Sequence, residues 1–304
     1  MHRRIFLRSG LAAAAGGAAL GALGSRAVAA VTLGDGRLST VSDGHLVLPD
    51  GFVIGDLPEA EARALVESAG YSLGGLRSPC NLALWEAGDR KVLIDAGAGW
   101  DFMPSTGQIV DNLAALGVAP DEITDVVFTH GHPDHLWGAT DDFDEPLFLN
   151  AAHYMGDAEY AYWSDPATVD DLPPDRQSFA AGALRRLDLL GPGMAQFGAG
   201  DEVVPGLTAV PTPGHTPGHM SLRVAAGGDS ALILGDAINN GHLALMRPEW
   251  PSPADQDPET GIATRMALLE ELSASGETVV GFHLPDGGIG RLAREGAAFT
   301  FSAM

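Results

Sequence analysis

The chain has 304 residues, 45% of them hydrophobic, and a formal net charge of −23. That composition excludes a disordered chain, and the acidic surface disfavours nucleic acid and anionic membranes as partners. Arg3, Arg4 and Arg8 precede an Ala/Gly/Leu run to about Gly24, and Ala27-Val28-Ala29 follows as a small-residue cleavage site. Residues 1–29 therefore read as a twin-arginine signal peptide, which implies export to the periplasm or beyond. The apolar run is too short and too glycine-rich for the roughly 20 residues that span a bilayer. Its removal takes four of the 17 basic residues and no acid, leaving 13 against 40. The lone Cys80 permits no internal disulfide and reads as a small buried hydrophobe.

Past the signal, Val31–Leu48 alternates apolar and polar residues around Ser42-Asp43-Gly44 and predicts a hairpin turning there. Leu82–Glu86 and Lys91–Ile94 predict a second hairpin, and Asp95-Ala96-Gly97 ends its strand in a glycine turn. Helical spacing from Gly107 to Leu116 predicts a helix stopped at Gly117. Val126–Phe128 is a strand, Pro146–Leu149 another, and Ala152–Trp163 and Phe179–Leu190 are helices flanking an Asp/Pro-rich loop. Leu207–Val210, Met220–Val224, Ala231–Leu234 and Thr278–Phe282 are short strands, with a helix at Ile262–Leu272. No linker or repeat interrupts residues 31–304, which predicts a single domain.

Chemistry concentrates where strands end. Thr129-His130-Gly131-His132-Pro133-Asp134-His135 carries four imidazole or carboxylate groups in six residues, the donors that a divalent ion such as zinc accepts. Neighbouring side chains on a short loop diverge, so His130 and His132 against Asp134 and His135 imply two ions side by side. His215, Asp236 and His283 each follow an apolar strand beside a glycine and supply further ligands. His219 falls in the turn after His215 and is expected to be packed or hydrogen-bonded instead.

This order of ligands resembles the metallo-β-lactamase superfamily signature, and Val92–Gly97 resembles that family's earlier strand-and-turn motif. The resemblance implies an α/β fold, a four-layer αββα sandwich with the site at one edge of two sheets. It implies that His130, His132 and His215 hold one ion and Asp134, His135 and His283 a second, with Asp236 between them. It also implies hydrolysis by a hydroxide bridging two divalent ions, most simply Zn2+, with Asp134 and Asp236 taking part in catalysis. Asp95 is expected to orient a ligand.

True β-lactamases lack the bridging carboxylate, so a small-molecule substrate of another kind is implied. Val41–Gly44, Leu234-Gly235-Asp236 and His283-Leu284-Pro285 running to Gly290 most resemble the methyl parathion hydrolase group, as do Arg294-Glu295-Gly296 and Phe299. Aryl esters, lactones and phosphotriesters are the implied substrates, with acyl-homoserine lactones as the alternative. Trp100, Phe102, Trp137 and Trp163 are candidate pocket residues, and Trp250 a candidate for a loop over the site. The loop tyrosine that lactonases of this fold use has no assigned counterpart, because Tyr154, Tyr160 and Tyr162 are expected on a helix. A mononuclear iron enzyme acting on sulfur compounds and a non-catalytic metal binder are the readings from other classes. A homodimer is compatible with the sequence, and no segment after the signal is expected to enter a membrane.

Overall fold

The computed structural model describes residues 29–191 and 193–304. All of the expected signal except Ala29 lies outside them. Among the described residues, fourteen strands form two seven-stranded sheets, each ordered as the chain runs. The first holds β1 (Ala30–Leu33), β2 (Gly36–Leu48), β3 (Leu76–Ala87), β4 (Arg90–Ile94), β5 (Asp125–Phe128), β6 (Ala152–Gly156) and β7 (Ala195–Phe197). The second holds β8 (Glu202–Val204), β9 (Leu207–Pro211), β10 (Met220–Ala226), β11 (Asp229–Ile233), β12 (Thr278–Val280), β13 (Ile289–Glu295) and β14 (Ala298–Ala303).

Strand parity builds the layers, because successive side chains leave opposite faces of a sheet. Ala83, Trp85, Val92, Ile94 and Val127 point inward and meet Leu207, Leu222, Val224, Ala231 and Ile233 of the other sheet. Their neighbours Leu82, Leu84, Leu93, Val126 and Phe128 point outward, against the helices Ile109–Ala115 and Gln177–Leu190. On the opposite side Leu232, Val279, Leu292 and Phe299 pack on the helix Pro258–Ser275. The result is the four-layer αββα sandwich.

Three local expectations are corrected. The first hairpin turns at Gly34-Asp35, whereas Ser42-Asp43-Gly44 forms a bulge within the continuous strand β2. Its turn-forming residues serve a tertiary purpose: buried Asp43 accepts hydrogen bonds from the amides of Ala98, Gly107 and Ile109. Burial pushes that carboxyl up to about 6, against the lowering effect of those amides. Pro146–Leu149 is not a strand, since Phe148 alone is buried there and Leu149 is exposed, and one isolated bridge joins Pro146 to Thr140. Ala152–Trp163 divides into β6, paired parallel to β5, and the helix Asp157–Ser164. Tyr154 therefore lies on a strand, and only Tyr160 and Tyr162 are helical. Helices Asp50–Ile54 and Glu59–Ser68 and the final hairpin β13–β14 were not anticipated.

Candidate metal centre

Strand β5 delivers the histidine loop and the backbone then divides its ligands. His132 is extended (φ −68°, ψ 157°) and Pro133 opens a one-turn helix, Pro133–Leu136, that carries Asp134 and His135. Proline suits that first helical position because its fixed φ is helical and no amide is needed there. His215 enters from the turn after β9, Asp236 from the end of β11, and His283 from just beyond β12. All seven residues are buried to 7% exposure or less.

Their side chains converge in two groups. His132 Nδ1 stands 3.1 Å from His130 Nε2 and 2.8 Å from His215 Nε2. His283 Nε2 lies 3.3 Å from Asp134 Oδ2, and His135 Nε2 lies 3.6 Å from the same oxygen. Asp236 spans the groups: Oδ1 is 3.3 Å from His135 Nε2, while Oδ2 is 3.3 Å from His215 Nε2 and 3.4 Å from His283 Nε2. Asp134 Oδ2, His135 Nε2 and Asp236 Oδ1 are nevertheless enclosed without a hydrogen-bond partner. Buried polar atoms are rarely left so, and these three, with His135 Nε2 3.6 Å from Asp134 Oδ2 and 3.3 Å from Asp236 Oδ1, fit a cation beside them. The donor set, imidazole nitrogen and carboxylate oxygen, fits zinc or a similar divalent ion.

Charge points the same way. Burial drives His130 and His132 well below the usual imidazole range, and their neighbouring histidines add to the effect, so both stay neutral with lone pairs available. Around the carboxylates the balance reverses. Burial lowers His283, but Asp236 and Asp134 outweigh it and raise it to about 10. His135 is raised in the same way by Asp236, Asp95 and Asp134 against the effect of burial. The carboxylates thus favour positive charge at this point, which a divalent ion bound there would supply in place of protons.

Outer partners fix the rings. Asp95 Oδ2 accepts from His135 Nδ1 at 2.7 Å, and Pro79 O accepts from His283 Nδ1 at 2.7 Å. Asp95 also holds Thr129 through its amide and hydroxyl, and itself adopts φ 65°, a strained region for a residue with a side chain. Asp255 Oδ1 faces His215 Nδ1 at 3.4 Å while its other oxygen accepts from Arg265 at 3.2 Å. His219 is hydrogen-bonded: Nε2 accepts from the Asp236 amide at 3.0 Å, so Nδ1 donates to Thr212 Oγ1 at 2.8 Å. Cys80 is buried.

Glu159 was not foreseen. Its buried carboxylate accepts from Gly131 N and Trp163 Nε1 through one oxygen, and from Thr216 Oγ1 and Gly218 N through the other. It thereby ties the loop bearing His130 and His132 to the loop bearing His215. Both tied glycines sit where a side chain has no room: a Cβ at Gly131 would stand 2.4 Å from the Trp163 ring, and one at Gly218 2.2 Å from Glu159 N.

A cavity of about 220 Å³ opens onto the ligands. Leu46, Leu48, Phe52, Val53, Phe102 and Phe179 form an apolar wall, and Ser78, Asn239, Asn240, His242 and Ser252 contribute polar groups. Of the four aromatic pocket candidates, Phe102 alone reaches this wall. Trp163 is buried in the core and bonded to Glu159. Trp137 is buried between Phe102 and the Arg186 guanidinium. Trp100 is 59% exposed, away from the cavity. The Arg247–Pro258 segment does reach the cavity, through Ser252, Pro253 and Ala254 and not through Trp250, and Arg176 bonds the carbonyls of Pro253 and Ala254.

An αββα sandwich that presents five histidines and two aspartates at one end of its sheets defines a protein built to bind metal. The chain belongs to the metallo-beta-lactamase superfamily, whose family model matches residues 75–283. It is 35% identical over 143 residues to the N-acyl homoserine lactonase AttM of Agrobacterium fabrum, an alignment covering 44% of this chain and 48% of that protein. The chain thus spans about half the length of the curated relative it matches. Among solved structures it is similar to the hydrolase AbOPH of the beta lactamase superfamily (TM-score 0.84, 26% identity, 91% of this chain and 97% of that one). It also superposes on AidC, a dizinc quorum-quenching lactonase bound to its product N-hexnoyl-L-homoserine (TM-score 0.85, 21% identity, 91% and 97%).

Proposed function

We propose that this chain is a two-metal hydrolase that opens the ring ester of acyl-homoserine lactones. The observation that carries this reading is the cavity over the ligands, lined by both apolar and polar side chains. The apolar lining residues, Leu46 to Phe179, suit an acyl chain, and the amides and hydroxyls that also line the cavity suit the polar amide and lactone of such a molecule. AttM and AidC, named for this activity, support it.

His130, His132 and His215 would hold one ion and Asp134, His135 and His283 the other, with Asp236 shared. Ions held there supply an acidified water and an electrophile for the ester carbonyl. The chain contributes the rest. Asp236, whose two oxygens reach both groups of ligands, passes one proton from the attacking water to the ring oxygen as its bond to the acyl carbon breaks, and Asp134 sits beside it. The apolar wall excludes bulk water and orients the acyl end.

A second reading is a methyl parathion hydrolase-like aryl ester or phosphotriester hydrolase. Phe102 and Phe179, edge to face at 5.9 Å on the cavity wall, would seat an aromatic leaving group. A panel of acyl-homoserine lactones, aryl esters and phosphotriesters, run on the metal-reconstituted chain from residue 30, separates the two. The expected result is a kcat/KM for the lactones at least about tenfold above the others. The reverse order would replace the first reading with the second.

A further inference from the structure

His242 lies in the turn after β11, six residues beyond Asp236, and lines the cavity with a ring that is 3% exposed. Asn240 Oδ1 accepts from the amides of His242 and Ala244, which shapes the turn before any ligand arrives. The Tyr71 ring packs edge-on against the imidazole at 4.8 Å between centroids. The ring is therefore held in place, yet among the described residues none hydrogen-bonds to it. Nδ1 is enclosed without a partner, as is the Tyr71 hydroxyl. Every metal-facing histidine has an outer partner for its second nitrogen or an adjacent ligand; His242 has neither and takes no place in the cluster.

An enclosed N–H with no acceptor is rarer and costlier than an enclosed lone pair, so Nδ1 is the bare nitrogen and Nε2 carries the proton. Burial also lowers the ring to about 4, which keeps it neutral in ordinary buffers. Nε2 is not among the enclosed unpartnered atoms, so in a neutral ring that lines the cavity it is the donor left to meet a ligand. Asn239, Asn240 and Ser252, hydrogen-bonded to one another, line the same cavity.

We propose that His242 is a substrate-binding residue whose Nε2–H donates to the acyl-amide carbonyl of the lactone, and so selects amide-bearing lactones over plain alkyl lactones. This deepens the lactonase reading and rests on it. The amide oxygen is the acceptor singled out because the ester carbonyl must face the metal ligands. Tyr71 acts through His242 by holding the plane of the ring.

The test compares N-hexanoyl-homoserine lactone with a γ-lactone bearing an alkyl chain of similar length and no amide, on the wild-type chain and on His242→Phe and His242→Gln. Thermal unfolding and metal content of each variant establish that it folds and loads. With His242→Phe the ratio of kcat/KM between the two substrates is expected to fall about tenfold, the scale of one lost hydrogen bond in a closed site, mostly through KM for the amide-bearing lactone. His242→Gln keeps an N–H donor and recovers most of the ratio. Equal losses on both substrates, or no loss, overturn the assignment of His242 while leaving the lactonase reading in place. A wild-type chain that opens neither lactone overturns both.

Discussion

His132→Ala removes metal loading and hydrolysis together. His132 Nδ1 is the nearest neighbour of both His130 Nε2 and His215 Nε2, at 3.1 and 2.8 Å, so its loss leaves the first group with two nitrogens and a gap. Loss of an outer partner of a metal ligand typically costs about 10–100-fold in affinity, and loss of a ligand itself exceeds that. The His132 ring also stands against Trp163 and Phe179 at 5.6 and 6.0 Å, so alanine opens space that water enters. Metal analysis alongside kcat/KM checks this. A variant that loses one ion and keeps wild-type turnover would sink the two-ion account.

Glu159→Ala is expected to have the largest effect on stability. The substitution strips the acceptors from two buried amides, a hydroxyl and an indole N–H. Each orphaned donor costs about 1–3 kcal/mol, and relaxation recovers part of that, so a loss of about 3–5 kcal/mol is expected. At about 2–4 °C per kcal/mol for a domain of this size, Tm falls by at least about 6 °C. Metal affinity falls too, because the loops bearing His130, His132 and His215 are no longer tied. Glu159→Gln keeps one acceptor oxygen but turns an NH2 towards donors, so it destabilises less than alanine and more than a neutral change. An unchanged Tm in scans of both variants, metal-free and loaded, contradicts the clamp.

The contrast between His132 and Glu159 marks what the sequence makes legible. His130, His132, Asp134 and His135 are crowded on one loop, and so dense a run of donors repays its mutual repulsion and desolvation chiefly by holding a cation. Strand ends at His215, Asp236 and His283 follow from short apolar runs closed by glycine, a local signal. Glu159 carries no such signal, since a carboxylate on a short helix looks the same whether it faces water or clamps two loops. Its four donors come from positions up to 59 residues away. Only the fold brings them together.

The same limit explains the aromatic residues. Trp137 and Trp163 lie close in sequence to ligands or surface loops, but large rings fill cores as readily as they line pockets, and here the helix Gln177–Leu190 covers Trp137 through Gly182. The cavity wall comes from Leu46 and Leu48 at the end of β2 and from the helix Asp50–Ile54, a segment with too few residues to show a helical period. Asp43 misled in a different way. Ser-Asp-Gly is turn chemistry, and the chain uses it to bulge a strand and to hold the loop from Gly97 to Ile109. The four layers were legible only through the family resemblance, because alternation marks which faces of a strand are apolar and not how two sheets stack.

The count of ions per chain tests the central claim most directly. Protein from residue 30 onward, purified without chelator and analysed for zinc, iron, cobalt and manganese against its concentration, is expected to carry two divalent ions per chain, predominantly zinc. Exchange into a chelator should remove both and abolish ester hydrolysis, and adding zinc should restore both. A single ion per fully active chain, or one iron with no hydrolysis of any ester, contradicts the account.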